Sequence, residues 1–140
     1  MGKSQFTIST DVERGKVVIT SCAVGTVTDG NFDGYNVRAL WDTGASRSAL
    51  SERVASKLGL HYLGHHNVGL AHGDDVSVPL CSGACFMFCK DLVCSVSAVD
   101  IIDLTGEDFD AIIGMDVISN GTLIMQPSDL GLSFVFTVIK

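Results

Sequence analysis

Two groups of residues in this chain have types and spacings that could do chemistry. The first is Ala39-Leu40-Trp41-Asp42-Thr43-Gly44-Ala45-Ser46-Arg47-Ser48-Ala49, in which an apolar run stops abruptly at Asp42. A carboxylate at a strand end, followed by a hydroxyl and a glycine, is held rigidly while the backbone amides around it stay reachable. A carboxylate so fixed can hold or move a proton. Taken alone, Asp42-Thr43-Gly44 also reads as an Asx or hydroxyl turn leading into the next element. The second group is Cys81, Cys85, Cys89 and Cys94 in the spacing C-x3-C-x3-C-x4-C, downstream of four histidines, His61, His65, His66 and His72. Structural zinc motifs set cysteine pairs two to four apart on turns, whereas Cys85, Met87 and Cys89 alternate with Ala84, Phe86 and Phe88, as on a strand with two apolar faces. Thiols in that setting behave as small core hydrophobes. Neither a metal nor another cofactor is expected, and the histidines are expected on the surface or in loops.

Strands must carry these residues. Runs rich in Val, Ile, Phe and Thr occupy residues 5–10, 16–28, 35–41, 67–71, 76–81, 84–89, 92–100, 111–113, 122–126 and 132–139. Between them lie turn formers: Asp29-Gly30, Asp33-Gly34, His72-Gly73-Asp74, Lys90-Asp91 and Asn120-Gly121. The pattern predicts an all-β chain. One helix is expected over residues 51–59, where Ser51 can cap it, Glu52 suits its positive end, Lys57 its negative end, and Gly59 can end it. The segment Phe109-Asp110-Ala111-Ile112-Ile113-Gly114-Met115-Asp116-Val117 reads as an apolar strand that stops at a glycine and enters a second short turn of helix near residues 116–119.

A chain of 140 residues has the length of one domain, since about 100–200 residues usually form a single unit, and residues 1–140 are read as one. With 46% hydrophobic residues, 18% charged and 2 Pro, it lacks the composition of a disordered chain. Its net charge of −7 and nine scattered bases argue against nucleic acid, because a polyanion is held by clustered Lys and Arg. The uncharged stretch at residues 76–89 contains Pro79 and falls short of the roughly 20 apolar residues a membrane-spanning helix needs. The N-terminus has no apolar core followed by a small-residue cleavage site, so the cytoplasm is the expected compartment. Five cysteines, an odd number, are expected there as free thiols.

Together, the Asp42 and Gly114 segments resemble the retropepsin-like aspartic proteases, which include the retroviral enzymes and single-domain cellular and bacterial members. In that family a hydrophobic-hydrophobic-Asp-[Thr/Ser]-Gly-Ala segment is followed by a flap hairpin, then by a hydrophobic-hydrophobic-Gly segment beneath the catalytic loop. Leu40-Trp41-Asp42-Thr43-Gly44-Ala45 matches the first and Ile112-Ile113-Gly114 the last. Residues 67–78 look like the flap, with its tip near residues 71–73. The resemblance runs from about residue 37 to 136, and three ordered motifs are more specific than one tripeptide.

That resemblance implies a closed acid-protease barrel with a flap hairpin and one or two short helices, and an aspartic endopeptidase with Asp42 as its catalytic acid. Thr43 would bond across to a partner loop, Gly44 would expose its carbonyl to a peptide, and Ala45 and Ser46 would bind substrate backbone. Ile112, Ile113 and Gly114 would support the loop from below, and Leu70, Ala71, His72 and Gly73 would close over it. Hydrolysis by this route needs two carboxylates, which share a proton when held close. The sequence has one Asp-[Ser/Thr]-Gly, so the expected state is a C2 homodimer with one Asp42 from each copy. The copies would join through that loop and through the strand at residues 132–139, which reads equally well as core.

Two positions depart from the retroviral pattern: Ser46 and Met115 stand where those enzymes place an acid and an arginine that pair. Losing both leaves no stranded charge. About 35 N-terminal residues have no counterpart in the viral enzymes and are expected to extend the sheet or the groove. Trp41 is expected in the core. The competing readings are a non-catalytic peptide- or protein-binding dimer of the same fold and a metal protein built on the Cys and His residues. The intact Asp-Thr-Gly-Ala favours the enzyme, because a binding module has no need of a paired acid.

Overall fold

The computed structural model describes residues 5–13, 15–69, 73–90 and 92–139. The β-rich pattern of the sequence becomes β1 (Gln5–Val12), β2 (Ile19–Thr28), β3 (Asn31–Trp41), β4 (Ala49–Ser51), α1 (Glu52–Ala55), β5 (His61–Gly69), β6 (Asp75–Ser82), β7 (Cys85–Cys89), β8 (Leu92–Ser95), β9 (Val99–Ile102), β10 (Ala111–Ile113), α2 (Met115–Ile118), β11 (Thr122–Ser128) and β12 (Gly131–Ile139). They form a three-stranded sheet, β1-β12-β11, and a nine-stranded sheet, β5-β6-β9-β4-β10-β3-β2-β7-β8. Both sheets are open among the described residues, in place of the closed barrel expected from the sequence. No helix of the described residues is long and apolar enough to cross a membrane.

Several strands end where their turn residues require. Asp29 and Gly30 take φ of 53° and 78°, making the two-residue turn whose twist matches the β2–β3 hairpin. Asp33-Gly34, expected as a turn, instead lies inside β3, with Gly34 opposite Gly25 of β2. A Cβ at Gly25 would come within 2.6 Å of the Gly34 Cα, so two facing glycines let the hairpin backbones approach closely. The expected strand at 92–100 is two strands in different places: β8 pairs with β7, while β9 lies between β4 and β6.

The helix expected over residues 51–59 is a single turn. Ser51 does cap it, accepting the Val54 N–H at 3.2 Å, but Ser51 also ends β4, which lies between β9 and β10 and keeps the preceding chain extended. The N-terminal segment extends both sheets, β1 pairing with β12 and β2 with β3 and β7.

Trp41 holds the two sheets together, as its expected core position requires. Its ring lies 5.0 Å from both Phe134 and Phe136 of β12 and 5.6 Å from Phe88 of β7. Its Nε1 donates to Thr20 Oγ1 at 2.9 Å, so burial leaves no orphan donor. Phe134, Phe136 and Val138 all point inward, which makes β12 a core strand on that face. Cys22 and Cys85 are buried, as expected of thiols acting as core hydrophobes, and burial pushes the Cys22 thiol up to about 12.

Truncation of Phe134 to Ala is expected to cost about 3–5 kcal/mol, read from urea unfolding followed by Trp41 fluorescence. A cost below about 1 kcal/mol would contradict a shared core between the sheets. In the native protein a thiol reagent should label the exposed Cys89 and reach Cys22 only on unfolding.

Candidate active site

The Asp42 loop is positioned by a parallel strand pair. β10 runs beside β3 in the register Ala111↔Ala39, Ile112↔Leu40 and Ile113↔Trp41, so both strands end at the same edge. The Asp42 amide donates to the Ile113 carbonyl at 2.9 Å and pins the start of the loop. The chain then turns tightly, with Ala45 N–H donating to the Asp42 carbonyl at 3.2 Å and Gly44 N–H donating to the carboxylate Oδ1 at 2.9 Å. Oδ2 takes no hydrogen bond among the described residues. One oxygen is thus oriented by the backbone and the other is left without a protein partner among the described residues. Asp42 is half-buried, while Thr43 and Gly44 are exposed at the loop tip.

Beneath the loop, Gly114 allows a contact no other residue permits. A Cβ there would sit 2.8 Å from the Ala45 carbonyl oxygen and 2.9 Å from that of Arg47. The backbones are therefore laced directly, Met115 N–H donating to the Ala45 carbonyl at 2.8 Å. Ser48, fully buried, locks the far end of the loop. Its Oγ accepts the Gly114 N–H at 2.9 Å and donates to Asp116 Oδ1 at 2.6 Å, while its own N–H donates to Asp116 Oδ2 at 2.9 Å. Every donor around Ser48 is satisfied, and Asp116 gains charge-assisted bonds in compensation for its partial burial.

The loop floors a groove of about 570 Å³, a volume suited to a short peptide segment. Asp42, Gly44, Ala45 and Ser46 line it, and so does Ile112, which was expected beneath the loop. Thr43 stands beside it, and Ile113 and Gly114 lie buried below. His66, Asn67, Val68 and Gly69 of β5 also line the groove, and the β5–β6 hairpin they belong to has a ladder from His61↔Ser82 to Gly69↔Asp75, longer than the 67–78 span expected. The expected tip residues Leu70, Ala71 and His72 lie outside the described residues, and Gly73 is exposed with φ of 93°.

Three polar residues of the groove escaped the sequence reading: Arg47, His66 and Asp100. His66 lies on β5 and is half-buried in the groove, whereas the histidines were expected on the surface or in loops. Asp100, 6% exposed, bonds through Oδ1 to His66 Nε2 and lies 3.5 Å from Arg47 Nη1. The available signal was Asp100 itself, a charge interrupting the apolar run Val99-Asp100-Ile101-Ile102, since a buried charge needs partners.

Ser48→Ala strands the Gly114 N–H and leaves Asp116 Oδ1 with the Val117 N–H alone, and is expected to lower stability by about 1–3 kcal/mol in denaturant unfolding. A neutral result would show that the loop is held by its backbone bonds alone.

Residues 27–117 match the family model described as aspartyl protease, a segment that contains the Asp42 loop and ends within α2. No curated protein matches the chain. Among solved structures the chain is similar to the crystal structure of a retropepsin-like aspartic protease from Rickettsia conorii, with a TM-score of 0.55 and 12% identity over 99% of this chain and 97% of that one. Such low identity speaks for the fold. With the family model covering most of its length, the chain belongs to the aspartyl protease family and carries a retropepsin-like fold.

Proposed function

We propose that this chain is an aspartic endopeptidase that cleaves peptide bonds as a homodimer, with one Asp42 from each copy forming the catalytic pair. The observation that carries this reading is the Asp42 carboxylate in the groove, oriented through Oδ1 by the Gly44 amide with Oδ2 free of protein bonds among the described residues. Peptide hydrolysis by two carboxylates needs one ionised and one protonated. The ionised group takes a proton from a water as it attacks the carbonyl carbon, while the protonated group donates to the carbonyl oxygen. The tetrahedral species then collapses, the C–N bond breaks, and the amine leaves with a proton returned by the pair. Two carboxylates held close share one proton, as in aspartic protease dyads generally, so the pair enters the reaction in the required state.

The second carboxylate has to come from outside the chain's own groove. Asp100 is the other acid among the described groove residues, and it is committed to His66 and Arg47. A second copy, presenting its own exposed Thr43-Gly44 tip, supplies the missing group with the same geometry. The β5–β6 hairpin would then act as a lid that excludes water from the bound peptide. On this reading residues 1–140 act as one domain, in the cytoplasm, on peptides or unfolded protein segments.

Asp42→Asn is expected to lower cleavage of an unstructured peptide by at least about a hundredfold, with the sedimentation profile unchanged. Unaltered cleavage would refute the assignment. Refolding wild-type chains with an equal amount of Asp42→Asn chains should bring activity to about half of what the wild-type chains supply alone, because mixed dimers lack one carboxylate. Undiminished activity in that mixture, or full activity from a sedimenting monomer, would overturn the shared site.

A further inference from the structure

We propose that Arg47 is a specificity-determining residue, and that it selects peptides carrying an aspartate or glutamate side chain close to the bond that is cut. The inference rests on the peptidase reading above and adds the class of substrate to it. Arg47, five residues beyond Asp42, lines the same groove with its side chain 39% exposed. Its engagement with the protein is one-sided. Nη1 lies 3.5 Å from Asp100 Oδ1 and 3.2 Å and 3.5 Å from the two ring nitrogens of His66. Nε and Nη2 take no partner among the described residues. A guanidinium presents its donors in a planar fork, and an unused edge matches the two oxygens of a carboxylate.

The rest of the cluster fixes the sign of the preference. The Asp100 side chain is 9% exposed and is covered by His66 and Arg47, so a basic substrate side chain could reach it only by displacing them. With Asp100 holding one end of the guanidinium, Arg47 is anchored before a ligand arrives and loses little freedom on binding. The neighbouring wall is apolar, formed by Val68, Ile102 and Ile112. A carboxylate entering there would leave water, and Arg47 is the group able to compensate it. A charge-assisted bidentate contact of this kind is expected to favour an acidic side chain over its amide by about ten- to a hundredfold.

The test is cleavage of a proteome-derived peptide library by the intact protein, read by mass spectrometry, followed by kcat/KM on the best-cut sequence and its Glu→Gln counterpart. Wild type should enrich Asp or Glu at one position near the cut, and Arg47→Gln should lower the Glu-to-Gln ratio of kcat/KM at least tenfold. Cleavage without acidic enrichment, or a ratio unchanged in Arg47→Gln, overturns the role of Arg47 and leaves the peptidase reading standing. Arg47→Lys keeps the charge without the fork and guards against misfolding of the Gln variant. Its ratio should fall between the two, and a ratio equal to wild type overturns the bidentate contact. If wild type cuts nothing, the library is passed over immobilised protein. Acidic peptides retained by wild type and lost by Arg47→Gln would then support the selection and refute the peptidase, while unselective retention or none would refute both.

Discussion

Strands β3 and β10 run parallel and end side by side, so the Ile113 carbonyl takes the Asp42 amide and the chains beyond both strands must turn against each other. Within that crowded space a side chain at position 114 would collide with two backbone carbonyls. Glycine there lets the Ala45 carbonyl reach the Met115 amide, and Ser48 and Asp116 close the remaining donors and acceptors. The Asp42 carboxylate owes its fixed orientation to this backbone lacing. Such a site tolerates little motion, because each bond in the set positions its neighbours.

The same strand end couples the loop to the core. Trp41 immediately precedes Asp42 and packs between β7 and β12, so the two sheets meet one residue from the proposed catalytic group. β12 is in turn paired with β1 from Leu132 to Ile139. The N-terminal segment, far from the groove in sequence, therefore braces the strand against which Trp41 rests. Stability and the geometry of the loop are linked through one aromatic cluster.

The sequence made much of this legible where the signal was local. Asp29-Gly30 could only make the turn it makes, the apolar runs at 111–113 and 132–139 became strands with nearly those limits, and Ser51 capped a helix as its type and place required. Reading failed where pairing partners overrode local preference. Asp33-Gly34 has turn composition, yet lies within a strand because Gly25 stands opposite and the hairpin closes around the pair. Residues 92–100 look continuous but divide, since β8 extends one edge of the large sheet and β9 serves its middle. The helix at 51–59 keeps a single turn, because beyond Ser56 the amides of Lys57 and Leu58 bond three residues back, to the Val54 and Ala55 carbonyls.

For the site, the order of Leu40-Trp41-Asp42-Thr43-Gly44-Ala45 and Ile112-Ile113-Gly114 was enough to single out two segments that the fold brings side by side, because the close backbone contact restricts the residue type at a given position. Charge, composition and cysteine count likewise bounded the class of molecule. Folding alone brought Arg47, His66 and Asp100 together. They come from the loop after β3, from β5 and from β9, and no spacing along the chain records that these three elements share one groove wall. A catalytic loop is written in consecutive residues, whereas a substrate pocket is assembled from side chains whose only common property is where their strands lie in the sheet.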